Sequence, residues 1–279
     1  MLGLGLALAA ALAWGTSDFI GGLTTRGLAV VAVLLASQGF GAVLLAAAVL
    51  ARDEPAPGTQ SVLFGALAGL ALTVGLGGLY QGMAIGVMSV VSPISATGAV
   101  VPVAFGLARG ERPSALQGLG VALALAGVVL VSRRRDAERM GARLAVGVSL
   151  ALLSAGGFGL FFVSIDLAAE GGVLWATLAQ RLGVVAAAGT VLVLLRPAVA
   201  FVPRHVPALL AIGVLDVVAT TLFAAATTEG LTSLVSVVAS LYPVTTIALA
   251  FLVLRERLER SQQLGAAGAL GGVALIAGG

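Results

Sequence analysis

The sequence predicts an all-α polytopic membrane protein, with ten transmembrane helices forming two inverted five-helix repeats around a central cavity. Three observations lead to this prediction. The chain of 279 residues is 59% hydrophobic and 10% charged, whereas soluble domains are roughly 45–50% apolar and about 25% charged. Long apolar stretches alternate with short polar breaks. The second half of the chain also repeats the first, with an odd number of stretches in each half.

Ten apolar stretches divide the chain, and about 20 apolar residues are enough for a helix to cross a bilayer. Arginine-containing or proline-containing segments separate most of them. Ten such helices use roughly 200 residues, which leaves no room for a large domain outside the membrane. The stretches are Leu2–Gly22, Leu28–Ala51, Val62–Ile85, Val87–Ala108, Ala115–Ser132, Leu144–Ala168, Gly172–Leu195, Val206–Thr228, Leu231–Leu254 and Leu264–Ala277.

An internal repeat divides the chain into residues 1–135, an arginine-rich linker 136–142, and residues 143–279. Residues 111–132, shifted by 145 positions, match the later segment at eleven of 22 positions. Because each repeat holds five stretches, the second repeat must enter the membrane with the opposite orientation. Inverted repeats are typical of secondary transporters, whose substrate site lies near the midplane between the halves.

The residue inventory argues against several classes of protein. All fifteen basic residues are arginines, and they are dispersed between apolar stretches, so the net charge of +3 does not indicate nucleic-acid binding. The chain has no cysteine and one histidine, His205, which excludes a thiol nucleophile and a multi-histidine metal site within one chain. No Gly-x-Ser-x-Gly or His-Glu-x-x-His motif occurs. We therefore expect no enzymatic activity, no cofactor and no metal.

Arginine placement predicts the orientation. If the connecting segments alternate between the two sides of the membrane, eleven arginines fall on one side and three on the other. Short basic segments stay in the cytoplasm. Both termini are therefore predicted to lie outside the cytoplasm and the central arginine-rich segment inside it.

Charged residues within apolar stretches are candidates for function because burying them in a membrane is costly. Asp18, Arg181 and Asp216 are predicted to be coupling groups or intramembrane charges. A structural Arg181–Asp216 clamp, or an aspartate solvated at a water-filled mouth, is the alternative for these residues.

Scarce polar and aromatic residues within the stretches are candidates for contact with a substrate. Several of the serines recur at three- and four-residue spacing and so share a helix face. The alternative is that the serines serve helix packing and the aromatic residues face lipid. The candidates are Trp14, Ser17, Tyr80, Ser92, Ser95, Ser236, Ser240 and Tyr242.

Proline and clustered glycine predict hinges in the third, fourth and ninth helices. Proline removes a backbone donor and frees a carbonyl, although membrane helices also tolerate it for structural reasons. The predicted hinge residues are Gly77, Gly78, Pro93, Pro102 and Pro243.

Over its whole length the chain resembles the EamA-type drug/metabolite transporter superfamily. The resemblance rests on Trp14-Gly15, Arg181, Pro243 and a motif that closes each half, Glu-Arg-x4-Gln-x2-Gly-x6-Gly-Val, beginning at Glu111 and Glu256. We interpret these Glu-Arg pairs as fixing the geometry of the connecting segments. Among members of the superfamily, the chain is most similar to the YddG-type amino-acid exporters.

At two positions the residue in one half is not matched by the same residue in the other half. Gly156 stands where Trp14 stands in the first half, and Gly98 or Ala99 stands opposite Pro243. The resemblance implies a multi-pass protein of the bacterial inner membrane, so the predicted termini are periplasmic. It also implies a central cavity lined by helices one, three, four, six, eight and nine.

These observations predict a secondary transporter that exports small metabolites by alternating access. Amino acids, including aromatic and other neutral ones, are the expected cargo because the apolar stretches carry few ionisable groups. The alternative is a flippase of the same fold that moves lipid or amphipathic head groups. The expected partners are a small-molecule substrate and the lipid bilayer, with the protein a monomer or weak homodimer and no nucleic acid bound.

Overall fold

The computed structural model describes residues 1–85, 88–131, 141–198, 203–254 and 260–278. Within these ranges the regular structure consists of twelve α-helices and two short 3-10 helices. Three predicted features lie wholly or largely outside the described residues: the linker 136–142, the turn at Gly86, and the second Glu-Arg pair at Glu256.

Each predicted apolar stretch corresponds to one helix or to a pair of helices separated by a short interruption. The helices are α1 Leu2–Thr24, α2 Val30–Arg52, α3 Thr59–Ile85, α4 Met88–Ala96, α5 Val100–Ala108, α6 Ala115–Val131, α7 Gly141–Ala169, α8 Val173–Leu195, α9 Val206–Glu229, α10 Thr232–Ala239, α11 Tyr242–Leu254 and α12 Arg260–Gly278.

Eight segments are long and apolar enough to cross a membrane, if α4–α5 and α10–α11 each count as one segment. Two shorter apolar helices, at Ala115–Leu130 and Gln263–Ile276, accompany them. Many leucine and valine side chains on the outside of the bundle are exposed, for example Leu50 and Leu63. Such an extensive apolar surface is suited to contact with lipid rather than water.

Two membrane segments are interrupted near their middles. A 3-10 turn, Thr97–Ala99, separates α4 from α5, and Ser240 and Leu241 separate α10 from α11. Pro93 lies inside α4, and Pro243 lies in the first turn of α11, where the missing N–H of proline costs little. Pro102 lies in the first turn of α5.

The core forms mainly between the two halves of the chain. Helix α1 packs on α9, and α3 packs on α7. These two pairs are equivalent under the sequence shift, because α1 aligns with α7 and α3 aligns with α9. Helix α2 packs on α8, and α6 packs on α12. Each half therefore buries its apolar face against the other.

Small residues allow α3 and α7 to approach closely. A Cβ added at Gly78 would lie 2.7 Å from the carbonyl oxygen of Leu150, whereas one added at Gly77 would meet no atom within 4 Å. Close approach of helix backbones at glycine is a common source of stability in membrane proteins, where apolar burial alone gives little preference for a partner. Helix α3 runs without a break through both glycines.

Candidate functional site

A small cavity lies in the centre of the bundle, where α1, α3, α7, α9 and α11 meet. Its volume of about 20 Å³ is room for about one water molecule. The family resemblance implies a cavity lined by six predicted helices, and five of those six supply the helices that line this one. The sixth is predicted helix four, and its α4 contributes no lining residue. The lining residues are Trp14, Asp18, Leu72, Leu76, Phe158, Phe161, Phe162, Asp216 and Tyr242.

Aromatic side chains from both halves form the wall of this cavity. The Trp14 ring lies 5.9 Å from the rings of Phe161 and Phe162, measured between centroids, and Phe158 meets Tyr242 edge to face at the same separation. Aromatic pairs favour such tilted and edge-on contacts. Trp14 and Tyr242 are therefore interior residues and do not face lipid.

A buried charge cluster lies beside the aromatic wall. Arg181 forms an ion pair with Asp216, and its Nη1 also donates to Oε1 of Gln38. The Asp216 carboxylate accepts further hydrogen bonds from Trp14 Nε1 at 2.9 Å and from Gln38 Nε2 at 2.5 Å. Arg181 Nη2 donates to Thr220 Oγ1 at 3.3 Å. The charge of Asp216 is thus compensated and its oxygens are occupied, as a buried ion pair requires.

Asp18 has no such compensation. It lies on α1, lines the cavity and is only 4% exposed. The hydroxyl of Tyr80 hydrogen-bonds to it, and the neighbouring Ser17 donates to the carbonyl of Ile212 at 3.4 Å. Among the residues that the structure describes, no cationic side chain contacts Asp18.

The four serine candidates on the interrupted segments lie outside the lining of this cavity. Ser95 donates to the carbonyl of Val91, with the Ala151 carbonyl of α7 at 3.5 Å, and Ser240 donates to the carbonyl of Val237, so both hydroxyls bond to backbone. Ser92 and Ser236 are also buried, and their hydroxyls have no partner within the described ranges.

Hydrogen bonds and an ion pair join the two halves at the end of the bundle that carries the α5–α6 and α9–α10 turns. The backbone N–H groups of Thr232 and Ser233 donate to the carboxylate of Glu111 at 2.9 and 3.0 Å. This carboxylate therefore caps the first turn of α10, where backbone donors are otherwise unsatisfied. Nearby, Arg109 pairs with Glu170 at 3.5 Å. The geometry agrees with the interpretation that Glu111 fixes a connecting segment.

Sequence reasoning did not single out Gln38 or the three phenylalanines of α7. Gln38 offered a signal, because it is a polar residue in an apolar stretch and aligns with Gln180 in the repeat. The phenylalanines offered none, since apolar aromatic residues occur throughout such stretches whether they face a cavity or lipid.

Comparisons with known proteins place the chain in a family. A model described as the EamA-like transporter family matches residues 1–133 and again residues 145–278. Among curated proteins, no sequence matches this chain. One crystal structure superposes with a TM-score of 0.74 at 20% identity, covering 98% of this chain and 95% of that chain, which shows a shared fold. Because the family model covers nearly all of its length, the chain belongs to the EamA-like transporter family, a family of membrane transporters.

Proposed function

We propose that this protein is a secondary transporter that exports small metabolites, principally amino acids, across the bacterial inner membrane by alternating access. The observation that carries the proposal is the central cavity, which is built from both halves and lined by aromatic residues and one uncompensated carboxylate. A cavity with room for about one water molecule excludes an amino acid. Binding and release therefore require the two halves to move apart.

In this proposal ten transmembrane helices form two inverted five-helix repeats, and the two repeats move relative to each other. Three observations support this arrangement: the sequence repeat, the separate match of each half to the family model, and the equivalent packing of α1 on α9 and of α7 on α3. Two halves related by an axis in the membrane plane exchange their roles when the open side changes. In this proposal the protein functions as a monomer or weak homodimer.

The arginine distribution supports periplasmic termini, with eleven arginines on the cytoplasmic side and three on the periplasmic side. In that orientation the end held by Glu111 is periplasmic. The contacts of Glu111 with α10 and of Arg109 with Glu170 then join the two halves on the periplasmic side, and we expect them to change when the protein opens to that side.

Amino acids are the proposed cargo because the cavity offers apolar and aromatic walls with little charge. A substrate with several charges would need compensating groups, since an unpaired ion in a low-dielectric site costs several kcal/mol. Arg181, the buried cation in the described part of the chain, is already paired with Asp216. A flippase for lipid head groups would use a lateral opening lined by cations, and Arg181 lines no such opening.

Purified protein in liposomes provides the test. We expect saturable flux of radiolabelled phenylalanine or leucine, and normal flux in Asp53→Asn, a change of an exposed residue remote from the cavity. Flux of a sugar phosphate without flux of any amino acid would reject the proposed cargo. Transbilayer movement of a fluorescent phospholipid, measured in the same vesicles, would favour the flippase.

A further inference from the structure

We propose that Asp18 binds the ammonium group of the substrate, so that the cavity selects amines carrying one net positive charge over the corresponding zwitterionic amino acids. This inference rests on the proposed transport function. Among small metabolites it places monocationic amines with an apolar or aromatic body first, and zwitterionic amino acids bind the same cavity more weakly.

The charge balance of the cavity is the first step. The titratable groups that face Asp18 are Tyr80 on α3, Asp216 on α9 and Tyr242 on α11. Behind Asp216, Arg181 on α8 cancels one of the two carboxylate charges. Counted over the described residues, the cluster holds one unbalanced negative charge when Asp18 is ionised. Such a charge is costly inside a membrane protein unless a proton or a cationic guest neutralises it.

The second step concerns the other end of an amino acid. No cationic side chain lines the cavity within the described ranges. The Nη atoms of Arg181 already donate to Asp216, Gln38 and Thr220. A substrate carboxylate would therefore lack a cation and would lie near two aspartates. An amine without a carboxylate, or an amino-acid amide, avoids this penalty.

The third step is the chemistry of the wall. Trp14 and three phenylalanines line the same cavity as Asp18, and the faces of aromatic rings attract cations within about 6 Å of the ring centre. The hydroxyl of Tyr242 is buried, lines the cavity and has no hydrogen-bond partner among the described residues. Its oxygen is available to accept a hydrogen bond from an ammonium group. These features recognise a cationic head attached to an apolar body.

The same charge balance predicts that binding of a cationic substrate is coupled to release of a proton. When the cavity is empty and Asp18 is protonated, binding of an ammonium group must displace that proton. The affinity for a cationic amine should then increase with pH, by up to about tenfold per unit while the proton remains bound in the empty protein. The affinity for an uncharged analogue should not follow this trend.

Calorimetry on purified protein in nanodiscs at about pH 6, where both amines are protonated, tests the inference with four probes of similar shape: 2-phenylethylamine, phenylalanine amide, phenylalanine and 3-phenylpropanoate. We expect the two cations to bind about tenfold or more tightly than phenylalanine, and 3-phenylpropanoate to bind weakest. Titrations in buffers of different ionisation enthalpy should show release of a proton when a cation binds. Asp18→Asn should remove both the preference and the proton release, whereas Asp53→Asn should keep them.

The outcomes separate this inference from the proposed function. Flux of phenylalanine in liposomes, together with equal affinity for phenylalanine and its amide, would overturn the amine preference and leave the transport function standing. Absence of flux for all four probes and all other amino acids would overturn the transport function itself. The comparison of ligands uses the unaltered protein, so it decides the inference even if Asp18→Asn does not fold.

Discussion

The two halves of the molecule pack in equivalent ways but differ in chemistry at equivalent positions. At a shift of 142 positions Trp14 in the first half aligns with Gly156 in the second, and at a shift of 144 Asp216 in the second half aligns with Leu72 in the first. Trp14 and Asp216 meet in a hydrogen bond, whereas Gly156 and Leu72 supply no polar group. The repeat therefore accounts for the scaffold, and the buried charge cluster arises where the repeat is broken.

The two aligned glutamines show the same contrast between identical residues. Gln38 bridges Asp216 and Arg181 with both ends of its amide. Gln180 is equally buried, but neither end of its amide has a hydrogen-bond partner among the described residues. The same side chain thus has different energetic roles in the two halves, because Gln38 contacts the Arg181–Asp216 ion pair and Gln180 does not.

The largest expected effect comes from breaking the ion pair on the polar side. Asp216→Leu introduces leucine, which is the residue at the equivalent position 72 of the first half, and leaves Arg181 without its ion-pair partner. We expect a loss of about 3–5 kcal/mol in the free energy of unfolding, because a buried cation is left without its partner. Unfolding by SDS in mixed micelles, followed by circular dichroism, measures this loss.

The control removes both charges together. In the double variant Asp216→Leu, Arg181→Leu the buried charge disappears, so most of the lost stability should return, as is common when apolar residues replace a buried ion pair. A double variant as unstable as the single one would show that the hydrogen bonds to Trp14 and Gln38, rather than the charge, dominate this cluster.

A smaller effect is expected at the contact between the halves. Gly78→Ala adds a methyl group 2.7 Å from the Leu150 carbonyl, and such overpacking costs typically about 1–3 kcal/mol. Gly77→Ala is the matched control, because its added Cβ meets open space and alanine favours a helix. Thermal unfolding in detergent compares the two. Equal melting temperatures would contradict the close packing of α3 on α7.

Glu111 tests the link between the halves at the predicted periplasmic end. Glu111→Gln leaves a neutral acceptor at the first turn of α10, and we expect a loss of about 1–2 kcal/mol. Glu170→Gln is the matched control, since its pair with Arg109 is exposed and such pairs contribute about 0–1 kcal/mol. Hydrogen exchange of the Thr232 and Ser233 amides reports the cap directly. Unchanged exchange in Glu111→Gln would show that the carboxylate does not hold α10.

Much of the helical scaffold was predictable from the sequence, because apolar length and arginine-rich breaks reflect the thickness and charge preference of a membrane. Arg181 and Asp216 were recognisable for the same reason, as charges in apolar stretches. Their partner Gln38 was not selected, because a single glutamine in a stretch does not reveal which distant side chain it meets.

Other parts of the site depend on tertiary contacts that no local pattern encodes. The contact between Glu111 and α10 joins residues more than 120 positions apart. Ser95 and Ser240 share the small polar character of substrate-binding residues. Yet Ser95 donates to the Val91 carbonyl of its own helix, and Ser240 donates to the Val237 carbonyl of the helix that ends just before it, as serine in membrane helices commonly does. Sequence spacing alone does not distinguish these two uses of a hydroxyl.

The smallest expected change in stability concerns the two interrupted segments, α4–α5 and α10–α11. Both are broken near the middle, but their prolines stand at different positions. Pro243 stands in the first turn of α11, whereas Gly98 or Ala99 holds the aligned position before α5. Pro243→Ala therefore makes the second interruption more like the first. It also restores an N–H that can donate to the carbonyl of Ala239, which favours joining α10 and α11 into one helix. Stability should change by about 1 kcal/mol or less.

Transport should respond more strongly than stability, because a straightened segment resists the bending that alternating access requires. We expect Pro243→Ala to lower the flux of amino acid in liposomes severalfold at normal expression and melting temperature. Pro207→Ala is the matched control: it removes an exposed proline from the first turn of α9, where no interruption follows. If both variants transport at the rate of the unaltered protein, Pro243 is not a hinge and serves only to begin α11. The first half is then the better guide, because its segment is interrupted at the aligned position without a proline there.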